Sequence, residues 1–448
     1  MTTHNFDTIV VGSGTSAYFA IMGLNKAGQS VAVVDERDYG GTCALRGCQP
    51  KKYLVANAEA VAQARHLLGN GVDNDPQTNW ADLQKLKNAF LDGIPEGEVK
   101  EFQEAGIATF FGKARFAASD EIEIDGKERL KAKNIVLATG ATPRVSKIPG
   151  SEHAKDSEHF LNMSTLPKRI LFVGGGYISF EFAHVAATAG AEVTVLHRSD
   201  RPLKAFEKDM VDIILQTSKA MGINVVLNES PVEIRKSGDG YTIVGHTGKS
   251  FSADLVIEAS GRVPNLSVLE GDLGNVESSN RGVTVDQHLQ SVSNPRVYAI
   301  GDCAATPYQL APVADAEGKI AAQNILNGNQ ESFDASIVPT AVFTLPNIGA
   351  VGLTEEQAKE KGLDFRINKG TTTGWPSSKR IGEKHSAYKI LISNEDETII
   401  GAHLARHNAP EVINIFALAM KHGIKASELA NFPWAYPTYS SDLKYMVR

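Results

Sequence analysis

Only three cysteines, Cys43, Cys48 and Cys303, occur in 448 residues. So few cannot build a disulfide framework, and they point to a reducing, cytoplasmic setting. Strong charge of either sign is lacking too. A formal net charge of −7 gives no reason to expect nucleic acid or an anionic membrane surface as partner. No apolar run approaches the ~20 residues of a membrane span. The opening MTTHNFDTIVVGSG has no basic segment and runs straight into a strand, so no signal peptide is expected. What remains is a globular composition, 42% hydrophobic and 22% charged, with a length that predicts about three domains.

Forty glycines are present, and their placement is informative. Phe6–Val11 is a short branched apolar run, as expected of a buried parallel strand. GSGTSA follows with Gly12, Gly14 and Ala17, then an apolar helix, then a second strand ending in Asp35. Glycines there let backbone approach a pyrophosphate, and an acid about 20 residues on can hold ribose hydroxyls. The pattern recurs after Arg169–Val173, with Gly174, Gly175, Gly176 and Ile178 opening a second helix and Ser179 in the third small position. Its second strand ends in His197-Arg198, with Arg201 and Lys204 just beyond. Cations suit a 2′-phosphate, whereas an acid would repel it. The first turn therefore predicts an NAD-like or FAD adenosine site and the second an NADPH site.

Further along, Val297-YAIGDCA-Ala304 predicts a strand ending at Asp302, placed to accept a bond from a ribityl hydroxyl. QLAPVADAEGKIAAQNI reads as a helix whose first amides, around Ala311, face a flavin edge. Two more strands end in small residues at Gly140 and Gly261, where the chain crosses close to a cofactor. Cys303 reads as a small core residue. Cys43 and Cys48 lie in GGTCALRGCQPKK. A staple, metal ligation and redox chemistry are all conceivable for such a pair. No cluster of Cys or His at ligand spacing accompanies it, so no metal site is expected.

These motifs, in order, resemble the flavoprotein disulfide reductases. The resemblance rests on GSGTSA, GGTCALRGCQPKK, LATGATP, GGGYISFE, ASGRVPN, YAIGDCA and VPTAVFTLPNIGAVGLTEEQA and covers nearly the whole chain. The Pro-Lys-Lys after the second cysteine and the basic loop are most similar to glutathione reductase. The resemblance implies an α/β fold with two Rossmann-like domains and a C-terminal α+β dimerisation domain containing a mixed sheet. FAD would occupy residues 1–150 and 265–332, NADPH residues 151–264, and the dimer interface residues 333–448. It implies a redox disulfide in which Cys48 faces the flavin and Cys43 meets the acceptor. Lys51 would sit by the flavin paired with Glu181, and Tyr177 would be the lid that NADPH displaces. Asp35, Thr42, Asp302 and the backbone near Ala114 and Ala311 would hold FAD; Gly175, Arg198 and Lys204 would hold NADPH. A thiolate near a helix start and a lysine has a lowered pKa, which agrees with those roles.

One part of the pattern is missing. The family's closing His-Pro-Thr and Glu are here YPTYSSD: Tyr436 takes the histidine's place and Ser441 the glutamate's, with Asp442 one step later. A positioned acid–base group contributes roughly 10²–10⁴-fold in rate, about 3–5 kcal/mol of barrier. A phenol with pKa near 10 replaces an imidazole near 6.5 poorly. The first glycine-rich helix also lacks arginines, Lys26 being its only cation, so glutathione disulfide is a weak candidate. The expected acceptor is a small molecule needing no strong proton donor: an activated disulfide, a thiophilic metal ion or a quinone. Tyr436 reaches Cys43 only from a partner subunit, which implies a homodimer. Trp434, Tyr436 and Tyr439 either line an aromatic pocket there or pack the seam. The competing reading is a flavoprotein redox sensor or binding partner with little catalysis.

Overall fold

The computed structural model describes residues 2–448, which divide into two compact units. The first combines Met1–Lys52, Leu86–Arg144 and Arg262–Ala335. Its parallel strands run in the order Ala108–Phe111, Val31–Asp35, Thr2–Val11, Glu128–Leu137. On the edge away from Thr2–Val11, the long strand Glu128–Leu137 serves two neighbours. Its first half pairs antiparallel with Glu121–Ile124, and its second half pairs parallel with Val297–Ala299.

Side chains alternate across a strand, and both faces of this sheet are apolar. Ile9, Val11, Val34 and Leu137 enter one core cluster with Phe116 and Cys303. Val10, Val33 and Val136 enter another with Ala17, Ala20 and Ile21 of the Thr15–Lys26 helix. That double burial explains the uninterrupted apolar runs of the sequence. The Thr15–Lys26 helix crosses the Ala311–Asn327 helix closely.

The second unit combines Tyr53–Lys85, Val145–Gly261 and Ser336–Arg448. It holds a parallel sheet of Asn224–Leu227, Glu192–His197, Arg169–Val173 and Leu255–Glu258. A three-stranded antiparallel sheet, Pro231–Ala253, lies beyond it. The C-terminal segment builds a five-stranded sheet covered by the Ala409–Lys421 helix. The mixed sheet expected here is antiparallel throughout. Antiparallel neighbours need only short connections, whereas parallel ones need a crossover of a dozen residues or more. Ala387–Ser393 and Ile399–Ala405 form such a hairpin.

A buried ion cluster ties segments of this unit together. Lys389, with its side chain 2% exposed, lies 2.8 Å from Glu207, 2.7 Å from Asp209 and 2.8 Å from Glu355. An unpaired charge in such a place would be costly.

Candidate redox and nucleotide sites

Each parallel sheet carries a glycine turn between its first strand and the next helix. Gly12 has φ +109° and Gly174 has φ +117°. A Cβ at Gly12 would lie 2.3 Å from the Ala138 carbonyl oxygen, and one at Gly174 would lie 2.4 Å from that of Ala259. Both turns therefore press backbone against the neighbouring strand, with Gly14 and Gly176 preceding the helices Thr15–Lys26 and Tyr177–Thr188.

The two turns differ in what stands opposite them. In the first, Asp35 Oδ2 accepts from the Ser13 backbone N–H at 2.8 Å and from its hydroxyl at 2.7 Å. Its Oδ1 accepts from the Arg37 N–H at 2.9 Å. In the second, the His197 ring lies against Gly175 and bonds the Arg201 carbonyl at 2.9 Å. Burial first, and then Lys204 and Arg198, push the His197 pKa down. Arg198 and Lys204 are exposed and converge electrostatically on this imidazole. Arg201 behaves differently from those two. Its guanidinium donates to the Phe206 carbonyl at 2.6 Å and the Lys204 carbonyl at 3.2 Å, so it shapes the loop. Tyr177 is half exposed at the start of its helix, and Ile178 is partly buried beside it.

The cysteine loop is seated on the first turn. Gly41, at φ +68°, touches Gly14, and a Cβ on Gly41 would lie 2.4 Å from the Gly14 Cα. The short Gly41–Arg46 helix carries Thr42, which is exposed, and Cys43, which is half-buried. Gly47 then breaks the helix, and Cys48 begins the 19-residue helix Cys48–His66, with Lys51 one turn along. Both cysteines are thiols in this structure and bond each other. The Cys48 sulfur and then burial hold Cys43 protonated; the Thr15 hydroxyl pulls the other way, and the charge on Asp315 adds the least. A helix N-terminus favours an anion at Cys48.

Other predicted residues of this unit fall as follows. Asp302 lies on the Gly301–Cys303 turn, mostly buried, its pKa raised by burial against the pull of Arg262. Gly140, at φ +68°, follows the Glu128–Leu137 strand. Ala311 opens its helix, and Ala114 is buried at the start of the Ala114–Ala118 strand. In the second unit, Gly261, at φ +132°, follows the Leu255–Glu258 strand. Cys303 is fully buried, its thiol bonded to the Leu137 and Ile300 carbonyls at 3.3 Å each. Glu181 is 1% exposed and accepts from the Phe343 N–H at 2.8 Å.

Three acids of the first unit escaped sequence reasoning. Glu317 accepts from the Gly301 N–H at 2.7 Å and is pushed up to about 7 by burial. Glu98 is pushed up to about 7 by burial, then by Glu101 and Asp35. Asp315 also has a raised pKa through burial. Buried oxygens of Glu98 and Asp315, Oε1 and Oδ1, have no hydrogen-bond partner in the chain. The only available signal for Asp315 and Glu317 was the run ADAEGK in the stretch read as a helix.

At the C-terminus, Asp442 is already engaged. Its Oδ2 lies 2.6 Å from the fully buried Arg406 guanidinium and 2.6 Å from the Ser377 hydroxyl. The Ser441 hydroxyl bonds the Thr438 carbonyl at 2.6 Å. Neither side chain orients Tyr436, which is 69% exposed and has Lys444 5.6 Å from its ring centre. The three aromatics of this segment find separate partners within the chain. Trp434 packs on Phe432, and Tyr439 lies beneath Arg380 and Arg406.

A cavity of about 270 Å³ in the second unit is lined by Gln63, His66, Leu345, Glu383, His385 and His407, among others. None of the predicted site residues lines it. No group of three or more His, Cys, Asp or Glu suited to a metal occurs among the described residues, and none of their helices is long and apolar enough to cross a membrane.

Two nucleotide-type turns and a cysteine pair seated on one of them define a pyridine nucleotide-linked flavoenzyme. Residues 6–318 match the family model for pyridine nucleotide-disulphide oxidoreductases, and residues 338–447 match the dimerisation domain of the same family. The chain belongs to this family and is an FAD-dependent enzyme of it. It is 30% identical to mercuric reductase of Staphylococcus aureus over 98% of this chain and 81% of that one. It is 31% identical to trypanothione reductase of Trypanosoma congolense, covering 98% and 94%. It is also 31% identical to glutathione reductase of Pisum sativum, covering 99% and 82%. A solved structure, the Cu(II) complex of the HOCl-induced flavoprotein disulfide reductase RclA from Escherichia coli, superposes with TM-score 0.90 at 25% identity, covering 99% of each chain. The family uses FAD and a pyridine nucleotide. The residues present fit FAD: acids with unmet acceptor capacity and glycine-lined backbone suit a ligand rich in hydroxyl donors and phosphate.

Proposed function

We propose that the enzyme takes electrons from NADPH, loads them through FAD onto the Cys43–Cys48 pair, and passes them to an acceptor needing no strong proton donor. The observation that carries this reading is the bonded sulfur pair seated on the first glycine turn. FAD, when bound, supplies the hydride acceptor and the two-electron relay. Asp35, Thr42, Asp302, Gly12, Gly14, Gly140 and the backbone at Ala114 and Ala311 would hold it. Arg198 and Lys204 favour NADPH, since they meet a 2′-phosphate at a strand end that carries no acid. Gly174, Gly175, Gly176, Ile178 and Gly261 would line that nucleotide, with Tyr177 as the displaceable lid and Lys51 paired to Glu181 beside the flavin. The FAD domain would be 1–150 with 265–332, the NADPH domain 151–264, and 333–448 the seam of a cytoplasmic homodimer.

Two electrons and one proton would open the Cys43–Cys48 disulfide to a Cys43 thiol and a Cys48 thiolate. Cys43 stays protonated until an acceptor approaches, while Cys48 at the helix start carries the anion. The favoured acceptor is a thiophilic metal ion. Two Cu(II) ions would take one electron each, re-forming the disulfide and releasing the one Cys43 proton, with no leaving thiol to protonate. The committed Asp442 and the mercuric reductase and RclA relatives support this over an ordinary disulfide.

Stopped-flow reduction of the FAD-loaded enzyme by NADPH tests the core of the reading. A long-wavelength thiolate–flavin band is expected in the two-electron-reduced enzyme, and its absence sinks the proposal. Cys43→Ser should abolish acceptor turnover that depends on the dithiol and leave direct flavin reduction of quinones.

A further inference from the structure

The two glycine turns share one register, so their strand ends correspond residue by residue. The Gly12 N–H bonds the Val34 carbonyl at 2.7 Å, and the Gly174 N–H bonds the Leu196 carbonyl at 2.8 Å. The next and last residue of each strand is Asp35 in the first unit and His197 in the second. Asp35 holds Ser13, the residue after Gly12, by its N–H and its hydroxyl. His197 lies on Gly175, the residue after Gly174, where an added Cβ would be 2.4 Å from its Nδ1. The imidazole thus occupies the place of the acid that reads ribose hydroxyls in folds of this kind.

Its hydrogen bonds fix its tautomer. Nε2 lies 2.9 Å from the Arg201 carbonyl and 2.9 Å from the Ser199 hydroxyl. A carbonyl can only accept, so Nε2 carries the proton and the neutral ring keeps a lone pair on Nδ1. Nδ1 has no hydrogen-bond partner among the described residues. Arg198, Asp200 and Lys204 surround the ring from its own loop. Beyond the adjacent strand, the Glu229 N–H bonds the His197 carbonyl at 2.9 Å. The Glu229 carboxylate itself is taken up by the Thr247 hydroxyl and by His246. Burial, Lys204 and Arg198 lower the His197 pKa against the Arg201 carbonyl and Asp200, which leaves the ring neutral at pH 7.

We infer that His197 is a specificity-determining residue for the nucleotide ribose. Neutral, its Nδ1 accepts from the 2′-hydroxyl of NADH. Protonated, the ring joins Arg198 and Lys204 as a third cation for the 2′-phosphate of NADPH. The inference rests on the reading that the second turn holds a pyridine nucleotide. A carboxylate at this place would repel the phosphate at every working pH, and an aliphatic side chain would offer the hydroxyl nothing. The imidazole avoids both faults, so NADH is tolerated in alkaline conditions and the preference narrows to NADPH as pH falls.

Calorimetric titration of the oxidised, FAD-loaded enzyme with NAD+ and NADP+ at pH 8 and pH 5.5 tests this apart from turnover. At pH 8, His197→Leu should weaken NAD+ by about three- to tenfold, the worth of one hydrogen bond, and leave NADP+ within about twofold. His197→Asn keeps a neutral acceptor at the Nδ1 position and should hold NAD+ within about twofold of the parent. A bound 2′-phosphate raises the pKa of the parent's ring, whereas an amide takes no proton. Between pH 8 and pH 5.5 the parent's preference for NADP+ over NAD+ should therefore rise about tenfold more than that of the Asn variant. Titration of the phosphate itself is common to both proteins and cancels. Equal NAD+ affinity of the parent and the Leu variant at pH 8, or equal pH dependence of the parent and the Asn variant, overturns the inference. Arg198→Glu with Lys204→Glu separates the two levels. If it weakens NADP+ while the His197 variants change nothing, the nucleotide site stands and the role of His197 falls. If neither change matters, both fall.

Discussion

Two groups of acids, one in each unit, are treated in opposite ways. In the first unit, burial raises Glu98, Asp302, Asp315 and Glu317. In the second, Glu207 and Asp209 are held low by the Lys389 ammonium, Glu355 by Lys359 and then Lys389, and Glu229 by the Thr247 and Ser230 donors and the His246 ring. Glu229 is buried and Glu207 nearly so, so burial alone does not explain the difference. Internal cations and donors do. The second unit satisfies its acids from its own chain, whereas the first leaves acceptor capacity for a ligand. A cofactor with many hydroxyl donors suits the first; a nucleotide phosphate met by exposed Arg198 and Lys204 suits the second.

The comparison can be broken most sharply at Lys389. Lys389→Met removes the one lysine paired with the buried Glu207, while Glu355 keeps Lys359 and Asp209 keeps Lys369. Denaturant titration should show a loss of about 3–5 kcal/mol, with recovery when Glu207 is also changed to Gln. A smaller loss than 1 kcal/mol, roughly the worth of a surface pair, would mean that the cluster is hydrated and the contrast between units false.

Next in size is the nucleotide contrast. Arg198→Glu with Lys204→Glu should cut kcat/KM for NADPH by about 100-fold, near 3 kcal/mol, and leave NADH unchanged or improved. Steady-state kinetics with both nucleotides decide it. Equal losses for both would point to a disrupted loop and would remove the phosphate assignment.

Glu317 sharpens the other side. Its pKa of about 7 lies above the ordinary 4.5, so the folded state keeps a proton that the unfolded chain releases. The stabilisation is complete below pH 4.5 and lost as pH rises through 7. Glu317→Gln keeps an acceptor for the Gly301 N–H and should gain about 1–3 kcal/mol over the parent between pH 5 and pH 8. A pH-independent difference in unfolding free energy would show that Glu317 is ionised throughout.

The smallest expected effect is at Tyr436. Tyr436→His should raise disulfide turnover by less than about tenfold, since positioning makes up much of an acid–base group's worth and Asp442 cannot orient the ring. A gain of a thousandfold would show that the imidazole needs no such support.

Much of this was legible from the chain. The parallel strands, both glycine turns, Asp35 and the basic loop follow from local patterns of apolar runs, glycines and charge, and the cysteine loop from its own motif. What stayed hidden depends on long-range contact. Asp315 and Glu317 read as the polar positions of one more amphipathic helix until the crossing with the Thr15–Lys26 helix sets their surroundings. Lys389 looks like a strand's solvent-facing residue until Glu207 and Glu355 arrive from elsewhere in the chain. Arg201 was grouped with Arg198 and Lys204 because composition cannot show that its guanidinium closes its own loop. The sheet of the dimerisation segment was expected to be mixed because strand direction is not written in strand composition.

The grip of Arg406 and Ser377 on Asp442 has a historical consequence. A single codon change at position 436 restores an imidazole but not the acid that would steer it. Regaining a working pair would also require a carboxylate at position 441 or release of Asp442, and release would strand a buried guanidinium. A route from this chain to a histidine-dependent reductase therefore passes through intermediates that are worse than either end.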